Sequence, residues 1–141
     1  MARFFLPLAI IAFHFVCLQT LCEQQELIHL YAPRMVHIVS NVPNPLLKFR
    51  CQSKDSDLGL RTLNDGQEFS WKFYPHIFFR TLFFCHFYWE TKDKSFVVYN
   101  QEIDGSCKNK KSEFNCYFRV SPDGFYFSND NVNYKKINDW A

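Results

Sequence analysis

The chain has 141 residues and a formal net charge of +2, from 16 basic and 14 acidic side chains. That near balance removes nucleic acid from the expected partners, because such binding rests on neutralising many phosphates. Aromatic residues make up 19% of the chain, enough that many rings must pack on one another in the single core a protein of this size can bury.

In chain order, the first element is a secretory signal: Met-Ala-Arg3, an uncharged apolar stretch over 4–18, then small or polar residues around Thr20 and Cys22. Gln19, Thr20 and Glu23 interrupt the run before it reaches the roughly 20 apolar residues of a spanning helix, and no positive flank follows. Stable membrane insertion is therefore not expected. Cleavage after Cys22 would leave residues 23–141 as one secreted domain, beginning with a short leader over 23–30.

From about Met35 onward the apolar residues alternate with period two, and no helical periodicity is visible. Strands are expected over 36–42 and 46–51. The next, Phe69-Ser70-Trp71-Lys72-Phe73, sends three rings one way and two polar side chains the other, between the turn Asn64-Asp65-Gly66 and Pro75. The run 77–89 is apolar on both faces, which predicts a central strand whose second face is covered by a loop or a partner. Strands over 95–100, 116–120 and 125–128 follow, the last two joined by the hairpin turn Ser121-Pro122-Asp123-Gly124. Residues 134–141 read as a last strand or a tail. Seven strands with regular turns predict an all-β fold, a single-domain sandwich of about seven antiparallel strands.

Beyond the signal segment the cysteines are Cys51, Cys85, Cys107 and Cys116. An even set in an oxidising compartment reads as a disulfide framework with three possible connectivities. Order along the chain favours Cys51 with Cys85 and Cys107 with Cys116, and the other two pairings stay open. No close C-x-x-C pair points to zinc.

Candidate binding residues lie on expected loops. Lys92-Asp93-Lys94 reads as a hairpin tip, and Lys108, Lys110 and Lys111 would stand on a loop constrained by a 107–116 bridge, where binding an acidic partner loses less ordering entropy. Solubility explains the same lysines without a partner. Asp55-Ser56-Asp57 lacks the glycine and the distal acid of a calcium loop and reads as a turn, with Asp57 accepting from nearby amides and Gly59 at positive φ. His29, His37, His76 and His86 show no metal-ligand spacing, and no serine or cysteine sits as a nucleophile. No catalytic site, metal or cofactor is expected. Strict alternation assigns Trp71, Trp89 and the other rings to the core rather than to a sugar-stacking surface. No Asn-x-Ser/Thr glycosylation acceptor is present after residue 22.

Ordered blocks across residues 35–127 resemble the plant self-incompatibility S-protein family. They are Val36-His37-Ile38-Val39-Ser40-Asn41, Cys51-Gln52-Ser53-Lys54-Asp55-Ser56-Asp57-Leu58-Gly59, the Phe69 to Phe73 strand, Thr81-Leu82-Phe83-Phe84-Cys85-His86-Phe87-Tyr88-Trp89, Phe96-Val97-Val98-Tyr99, Cys107, Cys116 to Val120, and Asp123-Gly124-Phe125-Tyr126. The resemblance implies a disulfide-stapled β-sandwich and an extracellular location. It further implies a protein ligand in cell-cell recognition, which in the founding members rejects pollen through a cell-surface receptor. For this chain the expected partner is such a receptor, met by a monomer. The alternative is a secreted defence protein acting directly on microbial membranes or cell walls.

Overall fold

A computed structural model describes residues 6–76, 78 and 80–141, with the side chains of 6–8 and 25–30 left out. The chain divides into two compact units, Met1–Ala32 and Pro33–Ala141. The first holds one helix, α1 (Leu6–Tyr31), which runs through the expected signal core and on past Cys22. Its residues 9–24 are exposed. Arg3, at the start of the expected signal, lies outside the described residues. No helix among the described residues is long and apolar enough to cross a membrane.

The second unit is a two-layer β-sandwich. One sheet has the order β4-β1-β7-β8-β9, and the other β3-β2-β5-β6. The strands are β1 (Arg34–Ser40), β2 (Leu47–Gln52), β3 (Asp57–Leu63), β4 (Glu68–Phe73), β5 (Phe83–Trp89), β6 (Lys92–Tyr99), β7 (Phe114–Ser121), β8 (Gly124–Ser128) and β9 (Lys135–Asn138), with a short helix α2 (Gln101–Cys107) between β6 and β7. There are thus nine strands among the described residues rather than seven.

The alternation that predicted the strands is the alternation that fills the core. In β2, Leu47, Phe49 and Cys51 are buried while Lys48 and Arg50 are exposed. In β5, Phe83, Cys85, Phe87 and Trp89 point inward. Rings from the two sheets interdigitate: Phe87 meets Phe125 at 5.2 Å, Phe73 meets Phe83 at 4.8 Å and Phe49 meets Phe69 at 5.8 Å between centroids. Truncating any one fully buried ring such as Phe87 would cost about 3–5 kcal/mol, because lost transfer energy and the cavity add.

Four expectations are corrected. The strand read over 77–89 begins only at Phe83, and Phe78 stands 87% exposed in the connection before it; Ile77 and Phe79 lie outside the described residues. No loop among the described residues covers the second face of β5, where Phe84 and Tyr88 are exposed, so of the two covers expected the loop is not found. The pairing is not wholly antiparallel, since β1 runs antiparallel to β4 on one side and parallel to β7 on the other. A parallel neighbour needs a long crossover, and here almost the whole domain supplies it. Finally, α2 exists where no helical period was visible, started by Asn100, whose side chain accepts from Ile103 N at 2.8 Å.

The hairpin turn over 121–124 depends on glycine. Gly124 has φ +143°, and a Cβ there would lie 2.4 Å from the Asn138 carbonyl oxygen of β9.

Candidate functional site

Both bridges close as chain order favoured. Cys51 and Cys85 face each other across β2 and β5, and Cys107 joins the end of α2 to Cys116 in β7. The second bridge is the base of the loop over 108–113. By the chain-entropy account each bridge stabilises by about 3–4 kcal/mol.

Above that base the loop is held by its own backbone and by one side chain. Asn109 N donates to Glu113 O at 2.9 Å, and Ser112 N donates to Asn109 O at 3.0 Å. Asn109 Oδ1 accepts from Lys111 N at 2.9 Å and Glu113 N at 3.1 Å. A second tether comes from another part of the chain: Asn129 Nδ2 donates to Ser106 O at 3.2 Å and Lys108 O at 3.1 Å. The segment carrying Asn129 is in turn fixed by Asp130. Its Oδ1 accepts from Ser128 Oγ at 2.7 Å, Val132 N at 2.9 Å and Asn133 N at 2.8 Å, and its Oδ2 accepts from Asn133 Nδ2 at 2.8 Å. Those donors, the Asn133 amide first, hold the Asp130 carboxyl well below the usual carboxylate range.

Between these two pinned segments lies a cleft of about 620 Å³, with Asn115 and Tyr117 of β7 also lining it. Lys108, Lys110 and Lys111 are exposed on its wall. None of the three forms an ion pair among the described residues. Tyr117 stacks on His37 with 4.1 Å between ring centroids. Burial, then the negative charges of Glu68, Glu113 and Asp130, push its hydroxyl above the ordinary tyrosine value, so at neutral pH it is an uncharged donor. His37 is itself buried, with Nε2 2.9 Å from Asn115 Oδ1 and Nδ1 2.6 Å from Glu68 Oε1.

The other candidate segment has a different setting. Lys92-Asp93-Lys94 is not the hairpin tip; Glu90 and Thr91 make the turn, and the three residues lie inside β6. Lys92 Nζ stands 5.1 Å from the Trp89 ring centroid, and Asp93 Oδ2 lies 2.7 Å from His86 Nε2. Lys94 is half-buried opposite Phe87.

Asp57 behaves as read: its Oδ1 accepts from Gly59 N at 2.9 Å, and Gly59 has φ +79°. It also pairs with Arg50 across the β2–β3 ladder, and that hydrogen bond, ahead of the Gly59 amide, holds its carboxyl well below the usual range. The turn after β2 closes earlier, at Ser53 to Ser56, so Asp57 opens a strand that the sequence reading missed. Trp89 is buried and Trp71 and Trp140 are half-buried, so the tryptophans belong to the core. Of the remaining histidines, His76 lies in the connection after β4, and the side chain of His29 lies outside the described residues.

The walls of the cleft that sequence reading missed are Glu113, Asn115, Tyr117, Asn129, Asp130 and Asn133. Only the Ser128-x-Asp130 and Asn133 spacing, typical of side chains that cap local turns, marked that last segment as ordered.

The described residues thus form a small all-β protein, a two-layer sandwich stapled by two disulfides, with a polar cleft beside the 107–116 bridge. The sequence matches the family described as plant self-incompatibility protein S1 over residues 35–140, and the chain belongs to that family. Among Arabidopsis thaliana relatives it is 38% identical to S-protein homolog 2 over 92 residues, covering 64% of this chain and 57% of that protein. It is 34% identical to S-protein homolog 29 over 113 residues, covering 78% and 79%. With S-protein homolog 18 it shares 32% over 124 residues, covering 86% and 83%. A solved structure of SPH (self-incompatibility protein homologue) proteins, described as a widespread family of small, highly stable, secreted proteins from plants, superposes with a TM-score of 0.56 at 16% identity, covering 78% of this chain and 96% of the other. The family is a secreted one, and this chain with it, in keeping with the two closed disulfides.

Proposed function

We propose that this protein is a non-enzymatic extracellular ligand, released by cleavage of a signal peptide near Cys22, which is recognised by a receptor on the plant cell surface. The observation that carries this reading is the 108–113 loop. Three lysines without ion pairs among the described residues are presented on a loop that a disulfide and Asn129 already hold in place. Such a surface loses little conformational entropy on binding, and its charge selects an acidic counterpart. Membership of the self-incompatibility protein S1 family supports a role in recognition between cells.

The test is saturable binding of the labelled secreted protein to living plant cells. The triple variant Lys108→Gln, Lys110→Gln, Lys111→Gln should bind at least fivefold more weakly with an unchanged melting temperature. Cells whose surface proteins have been removed by protease should lose binding. Retention of full binding after protease treatment would instead favour direct action on the membrane or wall.

A further inference from the structure

We infer that the cleft over the 107–116 bridge is a site for a carboxylate-bearing sugar, a short run of hexuronate residues, and this rests on reading the cleft as the place of recognition. Size is the first consideration. About 620 Å³ is the scale of a small-ligand pocket, far more than a single inorganic anion fills.

Charge is the second. Lys108, Lys110 and Lys111 share the cleft with Glu113 and Asp130. A ligand with continuous negative charge, such as an acidic peptide or a polyphosphate, would set some of its charges against those two carboxylates. A hexuronate carries one carboxylate per ring and hydroxyls elsewhere. Its carboxylates suit the lysines, and its hydroxyls can donate to Glu113.

The amides are the third. Asn115 uses Oδ1 towards His37, Asn129 uses Nδ2 towards Ser106 and Lys108, and Asn133 uses Nδ2 towards Asp130. What remains is the Asn115 amide donor and the Oδ1 acceptors of Asn129 and Asn133, a mixed set that matches hydroxyls, each both donor and acceptor. Tyr117 adds an apolar ring and a neutral hydroxyl. Because the walls are fixed before any ligand arrives, ordering them subtracts little from the affinity.

Calorimetric titration of the purified secreted protein with trigalacturonate is the direct test, run beside its methyl ester, hexaglutamate and inorganic phosphate. Trigalacturonate should bind, weakening as salt rises. Esterification, or the triple Lys→Gln substitution in a variant with unchanged melting temperature, should weaken it at least tenfold, and hexaglutamate and phosphate should not compete. The variant Asn115→Asp, which adds a negative charge without changing size, should weaken it as well. No binding at millimolar trigalacturonate, equal binding of hexaglutamate or phosphate, or indifference to the lysines would overturn the assignment. If the triple variant loses cell binding while trigalacturonate fails to bind, the sugar assignment falls and the recognition reading stands. If the variant keeps cell binding but loses trigalacturonate, the sugar site stands and the recognition reading falls.

Discussion

Lys92-Asp93-Lys94 and Lys108-Asn109-Lys110-Lys111 have similar composition, yet the fold uses them in opposite ways. The first is spent inside a sheet, where Lys92 lies over Trp89 and Asp93 meets His86. The second stands on the loop between α2 and β7, and the contacts that hold it come from its backbone, from Asn109 and Asn129 and from a disulfide, leaving the lysine heads without an ion pair among the described residues. On the proposed reading, a basic cluster gains binding capacity where other residues provide its order, not from its charge alone.

The comparison can be broken in graded steps. Replacing Cys107 and Cys116 together by serine should have the largest effect, about 3 kcal/mol in the unfolding free energy from denaturant titration under oxidising conditions, with the 108–113 amides exchanging faster than those of 92–94.

Next is Asp104 of α2. Its Oδ1 and Oδ2 accept from Arg34 Nε and Nη2 at 2.8 and 3.1 Å, and Tyr99 Oη donates to Oδ1 at 2.7 Å. Arg34 is 5% exposed, so Asp104→Asn should cost about 2–3 kcal/mol by removing the carboxylate charge from a largely buried ion pair. Burial of Asp104 works to raise its carboxyl pKa, but the Arg34 and Tyr99 hydrogen bonds outweigh it and the net shift is downward. A lowered carboxyl contributes stability above its unfolded pKa of about 4, and that contribution is lost as pH falls further. The gap in melting temperature between wild type and Asp104→Asn should therefore be full at pH 6 and shrink progressively below about pH 4.

Asn129→Ala removes two hydrogen bonds, one to Ser106 of α2 and one to Lys108 of the loop, and should cost about 1–2 kcal/mol, again visible as faster exchange confined to 106–113. Lys92→Gln should cost about 0.5 kcal/mol, the scale of an exposed cation–π contact, in a melting curve. The triple substitution of Lys108, Lys110 and Lys111 should change stability least, within about 0.5 kcal/mol, although it is the variant expected to lose partner binding. If it instead destabilised the protein more than Lys92→Gln, the contrast between the two segments would fail.

Much of this architecture was legible in the letters, because burial on one face leaves period two, and Phe69 to Phe73 shows that pattern with nothing competing. The misses have physical causes. β3 is an edge strand in which only Leu63 is buried while Leu60 is 66% exposed, so it carries no inward stripe to read. α2 has seven residues, too few for a helical period, and its one signal was the capping residue Asn100. The run over 77–89 misled because Phe78 and Leu82 are apolar without being buried. Of the cleft, the lysines and their bridge could be found from sequence. Asn129, Asp130 and Asn133 could not, because what brings them there is the β7–β8 pairing, in which Tyr117 lies opposite Ser128.

The parallel pairing of β1 with β7 bears on how the chain is made. Ribosomes and export channels deliver a polypeptide from its N-terminus, so Arg34–Ser40 emerges long before Phe114–Ser121 exists. Until then one flank of β1 has unpaired amides and carbonyls, and the nascent chain is open to adventitious strand addition. Cys51 and Cys85 can already meet in that interval, since β2 and β5 are complete, but Cys107 must wait for a partner that lies in β7 itself. Maturation should thus proceed in two oxidative stages, with the four-stranded sheet closing first and the 108–113 loop forming last, as the domain becomes whole.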